Sequence, residues 1–165
     1  MPAWILIPLL GIVAIVQVAW LPLIPIFGFK IDLALIVVVT WGLVGPIGAA
    51  AQWGFIVGVM LDLASGLPFG IHTLALTVVG LLVGLGQTTF FRGNLIAPPA
   101  MMIVATIFYN VFGLALLSLF NWNINWTDYI LRVILPTSLL NTVVGPIAYF
   151  PLQWLQQKLY PGLEF

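Results

Sequence analysis

The chain has 165 residues, of which 63% are apolar and 5% charged, with a formal net charge of zero and no cysteine. Soluble domains carry roughly 45–50% apolar and about 25% charged residues, so this composition is that of an integral membrane protein with no sizeable soluble domain. Zero net charge argues against a nucleic-acid partner, and the missing thiols exclude disulfides, thiolate metal sites and cysteine nucleophiles.

A spanning helix takes about 20 mainly apolar residues, which leaves room for about six spans joined by short connections. The first is expected over about residues 3–21, with Trp4 and Trp20 near its two ends, where indoles suit the membrane interfaces. Met1-Pro2-Ala3-Trp4 lacks the basic start of a secretory signal, so the helix reads as retained. Pro22 and Pro25 stop it, and Lys30 and Asp32 mark a water interface ahead of a second span over about 31–43. That second segment is short for a bilayer, so it either takes in Phe27 to Phe29 or is partly re-entrant.

Gly42, Gly45, Pro46 and Gly48 predict a tight turn into a third span over about 46–65, antiparallel to the second. A fourth follows over about 71–91, with Arg92-Gly93-Asn94 closing it, and a fifth over about 98–120, opening on Pro98-Pro99. The polar, aromatic stretch from Asn121 to Tyr129 predicts an interfacial loop. Asn125-Trp126-Thr127 within it matches a glycosylation sequon, a weak signal alone. The remaining apolar segment holds Pro136, Pro146 and Pro151 and predicts an interfacial turn followed by a sixth span over about 136–154. Trp122, Trp126, Trp154 and Tyr160 read as interfacial anchors, whereas Trp41 and Trp53 lie deeper, where either can pack against a partner helix. With the N-terminus inside, Arg92 and Lys158 face the cytoplasm while Lys30 and Arg132 lie outside, with Asp32 and Asp128 close enough to pair with them; both termini are therefore expected in the cytoplasm.

Between residues 54 and 70 every fourth position is small or charged: Gly54, Gly58, Asp62, Gly66 and Gly70. Four residues overshoot one helical turn by about 40°, so the first three share a face and form a groove that a second helix can approach closely. Gly66 and Gly70, although they continue the packing ladder, fall past the helix end. Gly80 and Gly84 repeat the spacing on the next helix. Asp62 either reaches the headgroups from a helix end or, being ionisable within a span, does specific work. In a hairpin turning at 66–70, Asp62 and His72 come to similar depth and can share a hydrogen bond or a proton, clasping the hairpin.

His72 is the sole histidine, and only Asp62 is close enough to help it hold a metal, so no metal centre or cofactor is expected. Ala64-Ser65-Gly66 superficially resembles a rhomboid protease nucleophile, but a serine and a histidine that flank one short turn do not bracket a wet cavity. Asn110 and Asn141 fall near mid-span and face the bundle interior, either hydrogen-bonding between helices or lining a central pocket with Gln52 or Gln87.

The run over residues 54–84, with its G-x3-G-x3-D-x3-G-x3-G core, resembles the MreD family of bacterial rod shape-determining membrane proteins. So do Ile31-Asp32-Leu33-Ala34-Leu35, where the family usually has proline in place of Ile31, and the run from Leu135 to Pro146 that contains Asn141. The resemblance implies an all-α, six-span polytopic protein of the inner membrane with a fold similar to the substrate-binding S-components of ECF transporters. It further implies a non-enzymatic subunit of the cell-elongation machinery, bound to MreC and linked to MreB filaments and peptidoglycan synthases. The S-component likeness carries an alternative, a transporter subunit whose six helices enclose a small molecule.

Overall fold

The computed structural model describes residues 3–23, 30–46, 48–90, 97–122 and 124–159. They form an all-helical bundle in which six helices pack together and no strand occurs among the described residues. Phe27 to Phe29, Arg92 and Tyr160, and the side chain of Gln87, lie outside that description.

Helix α1 (Ala3–Ile15) buries one stripe, Leu6, Leu10 and Ala14, spaced four apart. Trp4, Ile7, Ile12 and Ile15 point away from the bundle, as suits a helix at the edge of a membrane protein. The helix runs on through a widened π-helical turn (Val16–Trp20), where the Leu21 N–H donates to the Val16 carbonyl, and ends in a 3-10 turn (Leu21–Leu23).

Helix α2 (Leu33–Val44) is the centre of the bundle. Nine of its residues are buried, and it touches α1, α3, α4, α5 and α7. Its β-branched run from Ile36 to Thr40 would form a poor helix in water, but burial on every side supplies the stability that propensity lacks. Asp32 caps its start, accepting from Leu35 N at 3.3 Å, and Gly45 with Pro46 stops it.

Helices α3 (Ala49–Ser65) and α4 (Ile71–Phe90) form the tightest pair. A Cβ placed on Gly54 would collide with the backbone of Leu76, one on Gly58 with that of Thr73, and one on Gly80 with that of Ala50. The groove expected from the four-residue spacing is therefore filled by the chain's own next helix. Gly66 and Gly70 act differently: a Cβ there would meet nothing within 4 Å, and each has a positive φ, +70° and +106°, which only glycine adopts readily. Gly84 has ordinary room, its added Cβ standing 3.7 Å from Gly48 N.

Helix α5 (Ala97–Leu119) pairs with the last helix of the chain. That helix comprises α6 (Trp126–Tyr129), a π-helical turn (Ile130–Ile134) and α7 (Leu135–Leu159) without a break. An interfacial turn ahead of Pro136 is expected from sequence; instead the helix widens there, the Leu135 N–H reaching back five residues to the Ile130 carbonyl. The wider turn relieves the clash that a proline ring makes with the preceding turn. Among the described residues three helical stretches, Trp4–Leu23, Pro98–Leu119 and Trp126–Lys158, are long and apolar enough to cross a membrane, while Leu33–Val44, Ala49–Ser65 and Ile71–Gly86 are shorter apolar stretches.

Trp41 and Trp53 meet each other rather than a surface. Their rings stack at 4.1 Å between centroids and 10° between planes, and both are buried. Gly45 makes room for this pair, because a Cβ on it would stand 2.7 Å from Trp41 Nε1. At the bundle's surface, Lys158 Nζ lies 4.3 Å from the centre of the exposed Trp154 ring.

Candidate functional site

Asp62, buried on the last turn of α3, gives both carboxylate oxygens to the start of α4. Oδ1 accepts from His72 N at 2.9 Å. Oδ2 accepts from Gly70 N at 2.9 Å, Thr73 N at 3.0 Å and Thr73 Oγ1 at 2.5 Å. The first amides of a helix have no partner within it, and their dipoles favour a negative charge. Gly70, at the cap position of α4, has no side chain with which to satisfy them. Asp62 thus caps α4 from the neighbouring helix, an arrangement that needs the close approach Gly54 and Gly58 allow.

Side-chain contact between Asp62 and His72 is expected from sequence, but the bond comes from the His72 backbone. The reason is that three orphan amides offer a carboxylate more than one imidazole does. The His72 ring turns instead to α5, where Nδ1 lies 2.7 Å from the Tyr109 hydroxyl and the two rings are 6.3 Å apart. Ser65 Oγ accepts from Leu67 N at 3.4 Å, within its own turn.

A second clasp closes around the start of α2. Gln17, in the π turn that extends α1, accepts from Leu33 N at 2.7 Å and Ala34 N at 3.3 Å, and donates from Nε2 to Asp32 Oδ1 at 3.0 Å. Asn141, wholly buried on α7, accepts from Asp32 N at 3.1 Å and donates to Thr106 Oγ1 at 3.3 Å. Asp32 is therefore half-buried against Gln17 and Asn141. Asp128 does meet Arg132, at 3.8 Å, with both side chains largely exposed.

Asn110 does not meet Asn141; its Nδ2 donates to the Thr106 carbonyl at 2.8 Å. It lines a cleft of about 70 Å³ together with His72, Tyr109 and Tyr129, walled by residues that include Leu67, Ile71, Gly113 and Leu117. Thr106, Tyr109 and Asn110, within little more than one turn of α5, tie the two clasps and the cleft together. Among the described residues no three histidine or carboxylate side chains converge on one point.

Gln17, Thr73, Thr106 and Tyr109 are contributors to these hydrogen-bonded clasps that the sequence does not single out. Gln17 could have been found by the criterion that flags Asn110 and Asn141, an amide inside an apolar span. Asp32 could have been found as a cap, since it directly precedes an apolar run.

The model of the family described as rod shape-determining protein MreD matches residues 1–159. No curated protein and no solved structure matches the chain.

Proposed function

The chain belongs to the MreD family of rod shape-determining membrane proteins, and on that footing we propose that it is a non-enzymatic scaffold of the elongation machinery in the inner membrane. In this reading it binds MreC directly, is linked through it to MreB and the peptidoglycan synthases, and so regulates lateral wall growth. It crosses the membrane six times with both termini in the cytoplasm. The family match over residues 1–159 carries the proposal. The site geometry supports it, because Asp62, Asp32, Gln17 and Asn141 spend their polar atoms on helix ends, which is the work of a rigid platform. The alternative, a transporter-like subunit, needs a pocket of roughly 300–1,000 Å³, which the cleft of about 70 Å³ beside His72 does not itself provide.

The test is affinity purification from solubilised membranes with proteins and small molecules identified together, alongside rescue of rod shape in cells lacking the chain. Co-purification of MreC, with rods restored by the native chain and rounded cells with Asp62→Asn, is the expected result. Normal rods and normal MreC recovery with Asp62→Asn would defeat the role given to the clasp, and a retained small molecule without MreC would defeat the scaffold. A cysteine placed at residue 123 reports topology; labelling only after permeabilisation would reverse the proposed orientation.

A further inference from the structure

The cleft beside the first clasp carries more hydrogen-bonding capacity than the fold uses. Tyr109 is committed to His72, and the Asn110 amide nitrogen to Thr106. The second imidazole nitrogen of His72, the Asn110 carbonyl oxygen and the Tyr129 hydroxyl make no hydrogen bond among the described residues, and all three side chains line the same space. Among the described residues no charged side chain lines it. The amides of the first turn of α4, which would otherwise attract an anion, are occupied by Asp62, and Arg132 is 81% exposed and faces Asp128.

The cleft lies at one end of the bundle. Leu67 comes from the α3–α4 turn, His72 from the first turn of α4, Leu117 from the last turn of α5 and Tyr129 from the start of the final helix. Beside it runs the connection carrying Asn121, Trp122 and Asn125, a composition suited to headgroup depth. A half-open space of about 70 Å³ holds only a small part of a lipid-sized ligand, so the bulk of such a ligand must find its solvent elsewhere. In a membrane such a molecule is an amphiphile.

We propose that this cleft receives the uncharged, hydroxyl- and ester-bearing glycerol headgroup of a membrane lipid, its acyl chains remaining in the bilayer. The lipid hydroxyl donates to the Asn110 carbonyl oxygen and accepts from His72 Nε2–H, the tautomer in which Nδ1 accepts from Tyr109, and Tyr129 donates to an ester carbonyl. The proposal goes beyond the scaffold role and needs no MreC, so the two fail independently.

The test uses the full chain in phosphatidylcholine vesicles doped with a photoactivatable diacylglycerol, with labelled peptides mapped by mass spectrometry. Labelling is expected at residues 109–117 and 129, displaced by unlabelled diacylglycerol. Removing one hydrogen bond with Tyr129→Phe should lower labelling about three- to tenfold. Gly113→Leu, which grows into the cleft from a position where a first methyl would meet only Ile71 at 3.9 Å, should abolish it. If Gly113→Leu does not fold, Tyr129→Phe decides. Labelling unchanged in Tyr129→Phe, or equal displacement by phosphatidylglycerol, would overturn the uncharged headgroup. Equal displacement by soluble glycerol would overturn the lipid source.

Discussion

Gly58→Ala adds one methyl group at the close α3–α4 contact nearest to Asp62. That methyl would stand 2.5 Å from Thr73 Cα, 2.8 Å from Thr73 N and 2.9 Å from His72 O. All three are backbone atoms, so no rotamer change relieves the overlap, and α4 must retreat by about 1 Å to regain ordinary contact. Asp62 lies one turn further along, with bonds to Gly70, His72 and Thr73 nitrogens at 2.9, 2.9 and 3.0 Å. A retreat of that size carries them beyond the roughly 3.2 Å at which such bonds remain strong. Overpacking costs about 1–3 kcal/mol and a weakened charge-assisted bond about 1.5–3 kcal/mol. Alanine's helix propensity returns about 1 kcal/mol, so the net destabilisation should be roughly 1.5–5 kcal/mol. Equilibrium unfolding in mixed micelles, followed by helical circular dichroism, measures it. Gly84→Ala is the matched control, since its Cβ would sit 3.7 Å from the nearest atom. Equal stability of the two variants would refute the idea that the glycine face holds the clasp in register.

The other predictions use the same unfolding assay unless stated. Trp41→Phe keeps the ring stack on Trp53 and removes a buried indole N–H that has no acceptor among the described residues, so it should cost less than about 1.5 kcal/mol. Trp53→Ala should cost about 3–5 kcal/mol; a smaller loss from Trp53→Ala than from Trp41→Phe would contradict the stacking account. Asn141→Leu strips the Asp32 N–H and the Thr106 hydroxyl of a partner and should destabilise by about 1–3 kcal/mol, with faster amide exchange at Asp32 as its signature. Arg132→Ala breaks an exposed pair 3.8 Å apart and should change stability by less than about 0.5 kcal/mol.

The glycine face was legible because a four-residue period defines one side of a helix whatever that helix packs against. Gly54 and Gly58 could be assigned a close neighbour, and Gly66 and Gly70 a turn, before any coordinates. What could not be read was which atoms of that neighbour meet Asp62. The carboxylate chooses backbone amides over the imidazole because α4 starts on a glycine, and where a helix starts is the least determined feature of a sequence. The second clasp was hidden for a different reason. Gln17 becomes a cap only because a π turn rotates it toward Asp32, and Asn141 reaches the same group from 109 residues away. Asp32, standing beside Lys30, looked like a water-facing residue, although its position just ahead of an apolar run also fits a cap. The Trp41–Trp53 stack joins consecutive helices across a turn and leaves no periodic trace in either.

The central helix also constrains how the protein is made. Twelve residues rise about 18 Å, well short of a hydrocarbon layer about 30 Å thick, so a crossing at Leu33–Val44 needs more of the chain than the helix itself. At least one of its ends lies at hydrocarbon depth, and the end beginning at Asp32 is the one provided with side-chain partners. Gln17 has already been synthesised when that end emerges from the ribosome, but Asn141 has not. A nascent chain halted before α7 therefore holds a half-satisfied helix end in lipid, and assembly finishes only when the last helix enters. Truncation within α7 should consequently be cleared by membrane quality control as efficiently as the loss of α2 itself.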